Sequence, residues 1–384
     1  TKGEFVRDQD AYGGQKRHYS DGQSSKVQVL NYYRAGEVGV SYTNASVYVS
    51  DRMSWQRLAL TTGLRMDKDN YFGNTNLAPR TLLEWDVLGT GETRLSGGWS
   101  RYYGMDILGI AMRERKSQLH TLLVTGGNPV DRPSHTAYKL DGLKTPYDDE
   151  WALRLQQQLT SKVAAELAYV RRYGRQQVSI EGLAKTGYTY MNNGKSKTDA
   201  FTLSVMNTAP WTLGESLWTA RVDVTYQHSK RNNKLADGYD GEAEAQEENI
   251  YYNGDLIRRG DRPVGDYNLP WRVSAGVTGM WARYGLQMNN RINWNSARMD
   301  VHYVGLNRGD GLEKYESGRV GSYWTWDMRL DWEPAMLKGL GLGLDVLNVL
   351  DKQAPVVVST PTSVLNPNLY RTGRELWLRA SYRY

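Results

Sequence analysis

Along residues 217–231 the chain alternates strictly in polarity, with Trp218, Ala220, Val222, Val224 and Tyr226 interleaved with Thr219, Arg221, Asp223, Thr225 and Gln227. Successive side chains of a strand point to opposite sides, so the segment predicts a ribbon with one oily and one charged face. Its length matches the ~9–11 residues that a tilted strand needs to cross a bilayer, about twice a typical soluble strand. The pattern recurs. Leu58, Leu60, Thr62, Leu64 and Met66 oppose Arg57, Ala59, Thr61, Gly63 and Arg65, while Trp324, Trp326, Met328, Leu330 and Trp332 oppose Thr325, Asp327, Arg329 and Asp331. Leu83, Trp85 and Val87 alternate with Glu84 and Asp86, and Leu286, Met288, Ile292 and Trp294 with Gln287, Asn289, Arg291 and Asn293. Segments 163–169, 201–205 and 273–281 behave likewise.

One such strand would fit a soluble sandwich, its polar face towards water. A series of about 14–16 is too many for one twisted open sheet and falls within the range of membrane barrels. The connections fall into two length classes. Short links at 88–92, 160–162, 282–285 and 333–338 carry turn residues, and long ones occupy 105–149, 228–269, 296–321 and 351–372. Outer-membrane barrels alternate tight periplasmic turns with long external loops in this way. The expected fold class is therefore all-β, an antiparallel transmembrane β-barrel of about 14–16 strands in this chain, with residues 1–384 as one barrel domain.

Composition changes the picture in one respect. There are 27 Tyr and 13 Trp against 3 Phe, in a chain whose mean hydropathy is only −0.64. Trp and Tyr join an apolar body to a polar edge and suit membrane interfaces, and Trp85, Trp99, Trp151, Trp271 and Trp281 fall towards strand ends, where such girdles lie. No run of apolar residues is long enough for a transmembrane helix, which leaves alternating strands untouched. Residues 1–17 are polar and do not read as a signal peptide, so the chain is expected to be processed or truncated. The net charge of +6 is spread singly along strands and forms no patch for nucleic acid. Hydrolase and metalloprotease motifs are absent, there is no Cys nucleophile, and His18, His120, His135, His228 and His302 have no ligand spacing.

Residues 46–103 resemble a stretch of the TonB-dependent outer-membrane receptors: Tyr48 and Asp51 stand as Tyr-x-x-Asp, Leu60, Thr61, Gly63 and Arg65 as Leu-Thr-x-Gly-x-Arg, and Pro79-Arg80 opens the next matching strand. Residues 340–352 are similar to the family's penultimate strand, with an Asn-x-x-Asp turn at Asn348 and Asp351. The final alternation of Leu376, Leu378, Ala380, Tyr382 and Tyr384 resembles its closing strand, although the family more often ends on Phe or Trp. The resemblance implies a barrel of about 22 strands holding an N-terminal plug, of which this chain would be the C-terminal portion, the plug and early strands lying upstream. It further implies a Gram-negative outer-membrane location among lipid and lipopolysaccharide, coupling to the TonB complex through the plug, and active uptake of a scarce nutrient such as an iron-siderophore. A plugless diffusion porin and a barrel enzyme or adhesin are the alternatives. No cofactor and no catalytic or metal residues are expected.

The inward face is expected to carry Arg65, Arg94, Arg154, Arg172, Arg221, Arg291, Arg329 and Arg379 among Glu84, Asp86, Glu166, Asp223, Asp327, Asp331 and Asp345. Arg94, Arg154, Arg221, Arg291 and Arg329 are the candidates for binding an anionic ligand in the lumen. Pairing across strands competes with that role and is the more common fate of such residues. The acidic segment 237–248 could bind a hard cation but lacks fixed ligand spacing, which favours a solvated external loop. Arg259-Gly260-Asp261 spells an adhesion tripeptide of a kind that arises often by chance.

Overall fold

In the computed structural model, residues 2–9, 11–15, 28–125, 130–133, 140, 142–183, 187–231, 249–263, 270–354 and 370–383 are described. One sheet of fourteen strands dominates, thirteen in an unbroken path and the short Trp211–Leu213 strand beside it. In chain order the thirteen are β1 (Asn44–Trp55), β2 (Leu58–Asp69), β3 (Thr75–Asp86), β4 (Thr93–Tyr103), β5 (Tyr147–Thr160), β6 (Val163–Leu183), β7 (Gly187–Asn207), β8 (Ser216–Arg231), β9 (Trp271–Trp281), β10 (Leu286–Asn295), β11 (Tyr323–Trp332), β12 (Leu340–Leu347) and β13 (Glu375–Tyr382). Each pairs antiparallel with the next, the topology of an up-and-down barrel wall. All the tight turns predicted from sequence lie at one edge of this wall and the long connections at the other, which makes the first edge periplasmic.

Between the girdles the register carries the polarity pattern across the wall without slippage; shifts occur near the strand end at Gln158–Thr160 and in the projecting part of β6 and β7. Leu60 stands opposite Met53 and Leu83; Val222 stands opposite Val205 and Ala275; Ile292 stands opposite Ala275 and Trp326. These residues form the outward, lipid-facing surface. Trp218 and Trp281 meet edge to face at 5.4 Å near the periplasmic edge, and Tyr226 and Trp271 meet at 4.8 Å near the other. The ten residue steps from Trp271 to Trp281 span about 33 Å of strand, which at the usual barrel tilt gives an apolar band about 25 Å tall. Polar residues interrupt the outward face at two places, around Asn290 and around Asp51. Asn290 accepts a hydrogen bond from the Trp326 indole at 3.1 Å, whereas Asp51 stands opposite Thr62 at the sheet edge.

The short turns demand particular backbones. Gly285 adopts a φ of +61°, and a Cβ there would meet the Glu333 carbonyl oxygen at 1.9 Å. That close approach lets the β9–β10 turn accept from the neighbouring β11–β12 turn, the Glu333 N–H donating to Gly285 O at 2.7 Å.

The external side holds structure that periodicity does not anticipate. Within the long β4–β5 connection lies α1 (Ile107–Ser117), capped by the Asp106 carboxylate on the Gly109 N–H at 2.8 Å. Strands β6 and β7 run 21 residues each, well beyond bilayer length, so their upper halves project outward as a hairpin. Ile110, Leu140, Leu143, Val178 and Tyr190 bury together where α1, this hairpin and the β2–β3 turn meet. A second cap unites Asn249–Tyr252, Asp255–Arg258, Arg298–Leu306 and Glu313–Val320. The strands of residues 2–33 belong to two further small sheets, separate from the wall.

Outward and lumenal positions respond differently to charge. Met328→Arg, near mid-depth on the outward face, is expected to destabilise the folded barrel by about 2–4 kcal/mol, against about 0.5 kcal/mol for Gln287→Arg on the lumenal face. Denaturant titration of the protein in lipid vesicles measures both; equal costs would reverse the assignment of faces.

Candidate functional site

The lumenal face is built from the polar half of each strand. Five arginines there were candidates from sequence, and the structure divides them. Arg154 pairs with Glu166 across the β5–β6 ladder at 3.5 Å. Arg221 holds Asp223 of its own strand at 2.8 Å and donates to Ser204 on β7 at 3.1 Å. Arg329 pairs with Asp331 at 2.8 Å and lies 3.7 Å from Asp345, while Arg379 reaches the same Asp331 at 2.7 Å. Arg172 is likewise engaged by Glu150, and Arg65 by Asp67.

Arg94 and Arg291 differ. Neither makes an ion pair among the described residues, and Arg291 donates only a 3.3 Å bond to Ser274. The nearby Asp86 is occupied by the N–H groups of Gly89 and Gly91, and Asp327, opposite Arg291 in register, by the N–H of Asn348. One row of the wall reads Arg221, Gly276, Arg291. A Cβ at Gly276 would meet nothing within 4 Å, so the two guanidinium-bearing residues flank an open notch two strand spacings wide, about 10 Å. The five candidates therefore do not converge on one point. Arg94 and Arg154 lie on β4 and β5, while Arg221, Arg291 and Arg329 lie on β8, β10 and β11.

Above this wall, side chains fasten the external connections to one another. Asn74 and Asn76 donate to the Leu143 carbonyl and the Thr145 hydroxyl at 2.9 and 3.0 Å, and Arg113 of α1 donates to the Tyr190 hydroxyl at 3.2 Å. Tyr71 donates to Glu114 at 3.3 Å; burial, with the Glu114 charge beside it, raises the phenol above its usual value. In the second cap Arg259 is buried between Glu313, at 2.8 Å, and the Tyr315 hydroxyl, at 3.1 Å. The Arg-Gly-Asp tripeptide is thus a structural element here, its arginine turned inward. The acidic segment 237–248 lies outside the described residues. Among the described residues no group of His, Asp and Glu is arranged to hold a metal ion.

No family model matches the chain. A curated Escherichia coli K12 protein, YddB, described as uncharacterized, is 32% identical over 96% of this chain, which spans 47% of that protein's length. The crystal structure of the outer-membrane transporter YddB superposes over 100% of the chain with a TM-score of 0.76 and 29% identity, using 50% of the YddB chain. The chain has the fold of the barrel half of an outer-membrane transporter. The same wall recurs in the FrpB iron transporter from Neisseria meningitidis (TM-score 0.58, 15% identity, 93% of this chain and 51% of that one). It also recurs in the siderophore receptor PirA from Acinetobacter baumannii (0.59, 13%, 97% and 54%), where the low identity speaks for the fold alone. The barrel lies in the outer membrane of a Gram-negative cell, and the proteins it resembles are transporters.

Within the barrel, Asn348 is the residue whose part the sequence motif signalled but did not explain. Its side chain accepts from Lys352 N at 3.1 Å and donates to the carbonyls of Lys352 and Thr372 at 3.2 Å, while Asp351 accepts from Arg374 N at 2.8 Å. Both adopt left-handed φ, +49° and +51°, which Asn and Asp tolerate. Asp331 is similarly central, since two arginines converge on it. Asp331→Ala is expected to lower stability by about 1 kcal/mol, because half-exposed pairs contribute little each, whereas Arg94→Ala should leave the unfolding midpoint unmoved. Equilibrium unfolding of both variants tests this partition into wall pairs and free cations.

Proposed function

We propose that residues 1–384 form a single barrel domain of an active importer, and that its lumen admits an anionic nutrient, with a metal chelate of the ferric-siderophore type the leading class. Support comes chiefly from Arg94 and Arg291, lumenal cations that make no ion pair among the described residues, the second beside the open notch at Gly276. A free guanidinium in a narrow low-dielectric channel raises the local concentration of anions, whereas a paired one is already neutralised. The chain spans about half of YddB, and the remaining half is where a plug and a TonB-contacting segment would reside. On this reading the site binds and passes a ligand and carries out no covalent chemistry, and energy arrives through the plug from the inner-membrane TonB complex.

Uptake of radiolabelled ferric siderophores by cells expressing the full-length protein tests the proposal. Transport should stop when the proton gradient is dissipated, and the Arg94→Ala/Arg291→Ala variant should take up ligand about 10-fold more slowly below saturation. Uptake indifferent to the gradient would favour a passive porin. Unchanged rates in the double variant would remove Arg94 and Arg291 from the ligand path.

A further inference from the structure

The outward face carries a charge cluster that transport does not use. Just above the Tyr169–Phe201 stack, which closes the apolar band at 4.5 Å between ring centres, the β6–β8 ladder turns basic. Arg171, Arg175 and Lys197 surround the Tyr173 ring at 6.0, 5.7 and 6.0 Å. Lys230 stands opposite Lys197 in register and is exposed, as is Arg175. Asp199 alone opposes these four cations among the residues of the cluster, held by Arg171 at 2.6 Å and Lys197 at 3.5 Å, and further occupied by the Tyr169 hydroxyl at 2.6 Å. The neighbouring pair, Arg101 with Asp149 at 2.8 Å, is internally balanced.

Position selects the partner. Arg171 lies opposite Trp151, and Arg175 opposite Tyr147, on the same side of the wall as the tryptophan belt. These groups therefore face membrane, not lumen. Two to six residues above Tyr169 correspond to about 7–20 Å along the strand, or about 5–15 Å of height once tilt is allowed for, which places the cluster from the headgroup layer to just outside it. This is the external side of the wall, where the outer leaflet is built of phosphorylated glycolipid. Four cations at such a boundary repel one another unless an anion sits among them, and a diglucosamine phosphate offers a charge at that height while its acyl chains cover the Leu167 and Leu203 surface below.

We propose that Arg171, Arg175, Lys197 and Lys230 form a docking site for the phosphorylated headgroup of lipopolysaccharide, with Tyr173 as the platform between them. The site belongs to the outer wall and is independent of the uptake reading. Each cation near an anionic surface strengthens attraction about fivefold, so reversal of three is expected to weaken binding on the order of 100-fold.

Full-length protein in detergent, titrated with bis-phosphorylated lipid A and read by native mass spectrometry, gives the test. Wild type should retain lipid A and lose it on replacement by dephosphorylated lipid A. Arg175→Glu, Lys197→Glu and Lys230→Glu together should abolish retention. To separate loss of the site from loss of the fold, Arg175→Glu and Lys230→Glu are made singly as well, both at exposed positions, each expected to cost about fivefold. Heat-modifiable gel migration identifies the folded species in every case. Equal retention of the dephosphorylated lipid, or undiminished binding by the folded single variants, overturns the site.

Discussion

In hydrocarbon no water is present to satisfy a backbone N–H or C=O, and each one left open costs several kcal/mol. Every other feature of this wall follows from meeting that demand between strands. Thirteen consecutive strands pair antiparallel, each with the next, so each interior strand has both of its edges occupied by its sequence neighbours. Because the ladder fixes register, it also fixes which side chains share a face, and a one-residue slip at any rung would turn every arginine of that strand into lipid. The unbroken row from Val205 through Val222 and Ala275 to Ile292 and Trp326 is the visible result.

The two faces then treat charge by different rules. Inside, arginines and carboxylates meet in pairs such as Arg154–Glu166 and triads such as Arg329–Asp331–Arg379, which hold adjacent strands without asking for an external partner. Outside, charge is absent from the band between the tryptophan girdles except at Asp51, and returns only at its upper margin. Most of this was legible in the chain. Period-two alternation located β2, β8 and β11 and their lipid-facing residues, and turn chemistry located the periplasmic edge, because both are local properties of sequence. The Asn-x-x-Asp spacing likewise marked the turn at Asn348 and Asp351.

What was not legible depends on contacts between distant segments. Nothing in the composition of 105–149 announced α1, whose apolar side is completed by Val178 and Tyr190 from a hairpin some seventy residues away. The projection of β6 and β7 was not legible because the alternation read from the chain covers only 163–169 and 201–205, whereas the ladder continues past Gly174 and Ser196 through two register shifts. Sorting the five lumenal arginines into paired and unpaired needed the rotamers of their neighbours. Asp327 stands opposite Arg291 in register yet spends its carboxylate on the Asn348 backbone, a choice no spacing rule contains.

The Asn348 junction has a bearing on how such a wall can diversify. Its amide, the Asp351 carboxylate and the Arg371 N–H bonded to Ala354 O at 2.9 Å cinch the ends of the segment that precedes the last strand. With its base so tied, the entropy of closing that segment grows only slowly with its length. Insertions and deletions there can reshape the surface offered to the surroundings while the seam between β12 and β13 stays in place, so novelty at the rim is mechanically uncoupled from the wall beneath it.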